Sequence, residues 1–133
     1  MREPGSDLVE HDSPLAFAPT LERLTAAIEG AGLMVFARID HAEGARAAGL
    51  VMPPTTVLIY GHAKGGTPIM LAAPNAALDL PLRVLVREDD DGRTRIAFHP
   101  MAPILAGAGA PEALLHRLDP AQRLLLEALA AAD

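Results

Sequence analysis

The chain has 133 residues, no cysteine, no tryptophan and a formal net charge of −6 from 11 basic and 17 acidic residues. Its length suits one domain, since single cores occupy about 100–150 residues. The missing cysteines exclude disulfides, thiol catalysis and thiolate metal sites, and the acidic balance counts against nucleic acid as a partner. Half the residues are hydrophobic, but 26 of them are alanine and only four are aromatic, three Phe and one Tyr. The core must therefore come mainly from Leu, Val, Ile and Met. The longest uncharged stretches, such as Gly49–Gly61, fall short of the ~20 apolar residues of a membrane span. The polar start lacks the apolar region of a signal peptide. The expectation is a soluble, cytoplasmic protein with no membrane partner.

Residues 1–6, with Pro4 and Gly5, are predicted as a disordered lead to a single domain over 7–133. Residues 7–11 read as a short strand, closed by Asp12-Ser13-Pro14. A helix is predicted over about 20–31, where Leu21, Leu24, Ile28 and Ala31 share a face. Thr20 suits its N-cap, and Gly30 and Gly32 its end. Leu33–Ile39 reads as a strand with Val35, Ala37 and Ile39 on one face and Met34, Phe36 and Arg38 on the other. Asp40, with Glu43 three residues on, opens a short helix over 41–48 as an Asp variant of the capping box.

Pro53-Pro54 forces extended backbone before Thr55–Tyr60, whose apolar run predicts a central strand buried on both faces. After the loop Gly61–Gly66, Thr67-Pro68 supplies a cap and a first-turn proline for a helix over 67–73. Leu80–Glu88 and Arg93–His99 flank Asp89-Asp90-Asp91-Gly92 and predict a hairpin. Residues 100–111 read as an Ala/Gly/Pro-rich loop with a helical turn, and 111–117 as a short helix. Asp119-Pro120, with Gln122 as a capping-box partner, opens the last helix. Its stripe over Leu124–Leu129 suits a core or a dimer surface, since the basic flanks of a membrane-binding helix are missing.

Several short strings recur in a familiar order: Phe36-Ala37-Arg38-Ile39-Asp40-His41-Ala42, Pro53-Pro54-Thr55-Thr56, Tyr60-Gly61-x-x-x-Gly65-Gly66-Thr67-Pro68 and Ala77-Leu78-Asp79-Leu80-Pro81-Leu82. Over about residues 20–99 the chain resembles the Domain of Unknown Function 302 family. The family's usual loop reads Phe-Gly-Asn-Pro, where this chain has Tyr60-Gly61-His62-Ala63. The resemblance implies an α+β fold, one mainly antiparallel sheet packed on helices in strand–helix–four strands–helix order. It implies no particular activity, and no cofactor is expected.

Three groups of residues are candidate sites. Asp40-His41, at a strand-to-helix junction, reads as an acid/base pair or as a helix cap beside a surface histidine. Lys64-Gly65-Gly66-Thr67, ahead of a helix, could cradle an anion with backbone N–H groups and one cation, although the order is not that of a P-loop. In an antiparallel meander of the four later strands, His62, Asp79 and His99 would gather at one sheet edge beside Lys64. Two imidazoles and a carboxylate could hold zinc or iron. Were strands 33–39 and 55–60 parallel, His41 would join His62 instead. The hairpin arginines Arg83, Arg87, Arg93 and Arg95 suit cross-strand contacts, a blunted sheet edge or an anionic ligand.

The leading expectation is a non-enzymatic homodimer that binds a small anionic or apolar ligand. A metal-assisted or acid/base enzyme using His62, Asp79 and His99 is one alternative, and a protein-interaction module another. No nucleophile-elbow or Ser/His/Asp pattern is visible.

Overall fold

The computed structural model describes residues 7–132 and is built on a five-stranded sheet, every pairing antiparallel; the predicted lead over 1–6 lies outside the described residues. In chain order the elements are β1 (Val9–Asp12), α1 (Phe17–Gly30), β2 (Met34–Asp40), α2 (His41–Ala47), β3 (Thr55–Gly61), α3 (Ala63–Ala72), β4 (Leu82–Glu88), β5 (Thr94–Phe98), α4 (Met101–Gly107) and α5 (Asp119–Ala130). Short 3-10 turns fill Pro74–Asp79 and Glu112–Leu114. The strand order is β1-β5-β4-β3-β2. β2 to β5 thus form the predicted meander, and β1 closes it beside β5. The α+β architecture holds, and the parallel alternative for β2 and β3 does not.

One sheet face carries the core. Leu58, Tyr60, Val84, Val86, Ile96 and Phe98 are buried from it against Leu21, Leu24 and Ile28 of α1 and Leu125 and Leu129 of α5. The opposite face has no such cover: Val57, Ile59 and Leu85 are half-buried there, so β3 is an interior strand with one face fully buried rather than two. Arg87 and Arg95 stand directly opposite each other across β4 and β5, an arrangement that repels unless it is neutralised. Glu10 on β1 lies 3.8 Å from Arg87 and 3.9 Å from Arg95, and Asp12 lies 3.1 Å from Arg95. Cross-strand pairing is therefore what the predicted arginine cluster does at these two positions.

Three helix starts depart from the sequence reading. α1 begins at Phe17, because Pro19 falls in the first turn, where its missing N–H is not needed. Thr20 is consequently not a cap: it is buried, and its hydroxyl donates to the carbonyl of Ala16 at 2.8 Å. α5 begins at Asp119 with Leu118 at the cap position. Gln122 serves no capping box there; it is buried, accepts from Met101 N–H at 3.2 Å and donates to the His99 carbonyl at 2.9 Å, tying α5 to the chain after β5. α3 begins at Ala63 rather than Thr67, which changes the candidate anion loop.

β2 departs in register. A bulge between Val35 and Ala37 leaves Phe36 as the extra residue, with Val35 opposite Tyr60 and Ala37 opposite Ile59. Val35 therefore packs on the core face while Ala37 and Ile39 lie on the open one. A strict two-residue alternation cannot show this, because one inserted residue reverses every face beyond it.

A candidate ligand cavity at the start of helix α3

β3 ends at Gly61, whose φ of +153° is backbone that side-chain-bearing residues rarely adopt, and a Cβ there would sit 3.7 Å from Cβ of Pro81. The chain then turns at His62, the N-cap of α3, whose ring Nδ1 accepts from Lys64 N–H at 3.0 Å. That bond assigns the ring proton to Nε2 in the neutral form. An Asn-Pro at this place, as in the loop of the family the sequence resembles, would be a favoured N-cap followed by a favoured first-turn proline. His62-Ala63 keeps the cap with a different acceptor.

Within α3 the residues Lys64, Gly65, Gly66 and Thr67 are helical, not a loop. The N–H groups of Gly65 and Gly66 are already donated to the His62 carbonyl at 3.0 and 3.1 Å, and that of Lys64 to the His62 ring. The backbone cradle expected from the sequence is thus occupied by the protein's own acceptors. Pro68 lies inside the helix, so the Lys64 carbonyl lacks its N–H partner four residues on. Arg117 replaces it: Nη2 donates to the Lys64 carbonyl and Nε to the Gly65 carbonyl, both at 3.1 Å.

Between the start of α3, the bulge of β2, the start of β4 and the first turns of α5 lies a cavity of about 830 Å3. Its walls are mostly apolar and include Leu33, Met70, Leu80, Leu82, Leu118 and Leu124. Phe36, carried there by the bulge and half exposed, stands at its edge. Gly65 and Gly66 form part of the floor, and a Cβ on either would make only ordinary contacts of 3.6–3.8 Å with Leu118, Met70 and Leu80. Among the described residues the charged lining groups are Lys64 and Arg117, with His62 beside them, and no Asp or Glu lines it. Tyr60 closes the core behind it, its hydroxyl donating to the Ala121 carbonyl at 2.8 Å. Burial pushes that phenol far above its ordinary pKa.

The predicted site residues separate. His62, Lys64, Gly65, Gly66 and Thr67 line the large cavity. Asp79 and His99 instead line a smaller one of about 200 Å3 with Arg83, Met101, Ile104 and Gln122. The meander does bring the last two to one edge, as expected, but the turn into α3 carries His62 away. Among the described residues no group of three or more His, Asp or Glu side chains could hold a metal ion. Asp40 caps α2, accepting from Glu43 N–H at 2.9 Å, and the Glu43 carboxylate pairs with Arg46 at 2.6 Å rather than reaching back. His41 is exposed in the first turn of α2. Sequence reasoning missed Phe36, Arg117 and the leucines of β4 and α5, which enter the site only through the bulge and the packing of α5.

A family model described as Domain of unknown function DUF302 matches residues 9–132. The chain belongs to the DUF302 family. A crystal structure of an uncharacterized conserved DUF302 protein from Bacillus stearothermophilus shares its fold, with a TM-score of 0.80 at 17% identity over 94% of this chain and 97% of that one. Two curated relatives are both named Fluoride-specific ion channel FluC 1, from Brucella suis biovar 1 (strain 1330) and Brucella abortus biovar 1 (strain 9-941). Each is 42% identical to this DUF302 chain over 88 residues, 66% of this chain but only 35% and 33% of the relatives. The chain thus spans about a third of the length of these relatives. Among the described residues no helix is long and apolar enough to cross a membrane.

Proposed function

We propose that this DUF302 domain binds a small organic ligand in the cavity at the start of α3. The observation that carries this reading is the glycine floor. Gly65 and Gly66 sit in successive helical positions, each about 1 kcal/mol less favourable than alanine, although the packing around them has room for a Cβ. Folding alone gains nothing from both glycines; an open cavity does. The volume lies within the range of ligand pockets, about 300–1,000 Å3. Binding rather than catalysis is favoured because, among the described residues lining it, no carboxylate stands with the His62 ring to form an acid/base pair.

Displacement of a hydrophobic fluorophore, with a thermal-shift screen of small metabolites, tests the reading. The wild type is expected to respond and Gly66→Leu, which fills the floor, to lose the response while keeping its circular dichroism spectrum. An equal response from both would remove the cavity as the site.

A homodimer is the assembly we favour, formed through the uncovered sheet face, where Val57, Ile59 and Leu85 are half-buried and Ile39 is 42% exposed. With Arg87 and Arg95 neutralised by Glu10 and Asp12 of their own chain, a second copy could approach this face without opposing rows of like charge. Sedimentation should show a dimer that Leu85→Glu dissociates; a monomeric wild type would refute it.

The channel-named relatives favour a second reading, in which the domain accompanies fluoride transport as a part that does not itself span the membrane. Fluoride titration followed by 19F NMR tests it. Shifts absent at millimolar fluoride would remove direct sensing of the ion.

A further inference from the structure

We infer that the cavity selects an amphipathic anion, with its apolar body against the leucines and its anionic head at Lys64 and Arg117; this rests on the cavity being the binding site. Lys64 is the sole lysine of a chain with 17 acidic residues, yet it has no ion-pair or hydrogen-bond partner for its ammonium among the described residues. Arg117 likewise pairs with no carboxylate. Its Nε and Nη2 are held by the carbonyls of Gly65 and Lys64, which fixes the guanidinium and leaves Nη1 without a protein acceptor among the described residues. A guanidinium anchored in this way loses little freedom when it meets a further acceptor. Beside it, the His62 ring, with Nδ1 engaged by Lys64 N–H, retains its Nε2–H to donate.

Sign and shape agree. The chain as a whole is acidic, but among the described residues the charged groups lining this cavity are cationic and none is acidic. A neutral apolar ligand would gain nothing from two unpaired cations, and a small inorganic anion would leave the walls of Leu80, Leu82, Leu118 and Leu124 unfilled. The class that uses both parts is a carboxylate or phosphate monoester on a hydrocarbon or aromatic body. The source of the anionic head, carboxylate or phosphate, is separated by the probes below.

Octanoate, octyl phosphate, octanol and acetate are titrated into the full chain by calorimetry. In parallel, acylation of the single lysine by an amine-specific reagent is followed by mass spectrometry. Octanoate or octyl phosphate should bind at least tenfold more tightly than octanol, acetate should not bind, and the bound anion should shield Lys64 from acylation. Loss of the charged contact in Lys64→Gln should weaken binding roughly tenfold. Lys64→Glu, whose carboxylate suits the first turn of a helix and so preserves folding, should abolish it. The tighter of the two octyl anions identifies the head group. Octanol binding as tightly as either anion, or unchanged affinity in Lys64→Glu, overturns the anionic class while leaving the cavity reading in place. If none of the octyl compounds binds and Gly66→Leu behaves as wild type, the cavity reading itself fails.

Discussion

Arg117 supplies to helix α3 the hydrogen bond that Pro68 cannot. Pro68 removes the N–H that would reach the Lys64 carbonyl, and Arg117 Nη2 occupies that acceptor at 3.1 Å. A residue 53 positions along the chain thereby makes an interior proline tolerable and orients a cation at the cavity.

The coupling is measurable. Arg117→Ala should destabilise the protein by about 1–2 kcal/mol, the scale of a charge-assisted hydrogen bond in a solvated setting. Pro68→Ala restores the backbone donor, so the double variant should recover part of that loss. A double-mutant cycle from urea denaturation reads the interaction, and strict additivity would show that Arg117 does not compensate for the proline.

The cap at His62 depends on a side-chain acceptor. His62→Asn, which keeps a favoured side-chain acceptor at the cap, should leave thermal stability close to wild type, whereas His62→Ala should cost about 1 kcal/mol. Equal melting temperatures for all three proteins would show that the Nδ1 bond to Lys64 contributes nothing.

Gly61 is held at a φ of +153°, backbone that side-chain-bearing residues rarely adopt. Gly61→Ala should therefore destabilise by about 1–3 kcal/mol through backbone strain, far more than alanine at Gly66, where helix propensity favours the change. Chemical denaturation of the two variants should place them on opposite sides of wild type.

Tyr60 gives a pH prediction with a definite sign. Its buried phenol is raised above the unfolded value of about 10, so the folded state holds the proton more tightly. The corresponding stability is fully present below pH 10 and is lost as pH rises above it. Because Tyr60 is the only tyrosine, absorbance near 295 nm reports this group alone. Ionisation should coincide with loss of the folded circular dichroism signal. Ionisation at pH 10 in folded protein would contradict the burial. Tyr60→Phe should remove this contribution to alkaline unfolding, while losing about 1 kcal/mol near neutrality with the bond to Ala121.

The sequence alone determined most of the architecture, because the signals involved are local. Alternation and β-branched content marked β2 to β5, Asp89 to Gly92 marked the hairpin, and Asp40 with Glu43 marked the start of α2. The resemblance to DUF302 implied the same order of elements, and the sequence pattern pointed to Lys64-Gly65-Gly66-Thr67, four of the residues that line the candidate cavity. Tertiary structure decided the rest. A single inserted residue at Phe36 reversed the faces of β2, which no alternating pattern can register. α3 begins at Ala63 because a ring nitrogen of His62 caps it and Arg117 satisfies the carbonyl orphaned by Pro68, a contact invisible at that separation. Gln122, polar and near a helix start, reads as a cap by itself but is buried as the link between α5 and the end of β5. The cavity is likewise a property of packing: its floor is two missing side chains, and its walls come from strands and helices that meet only when the sheet, α3 and α5 close on one another.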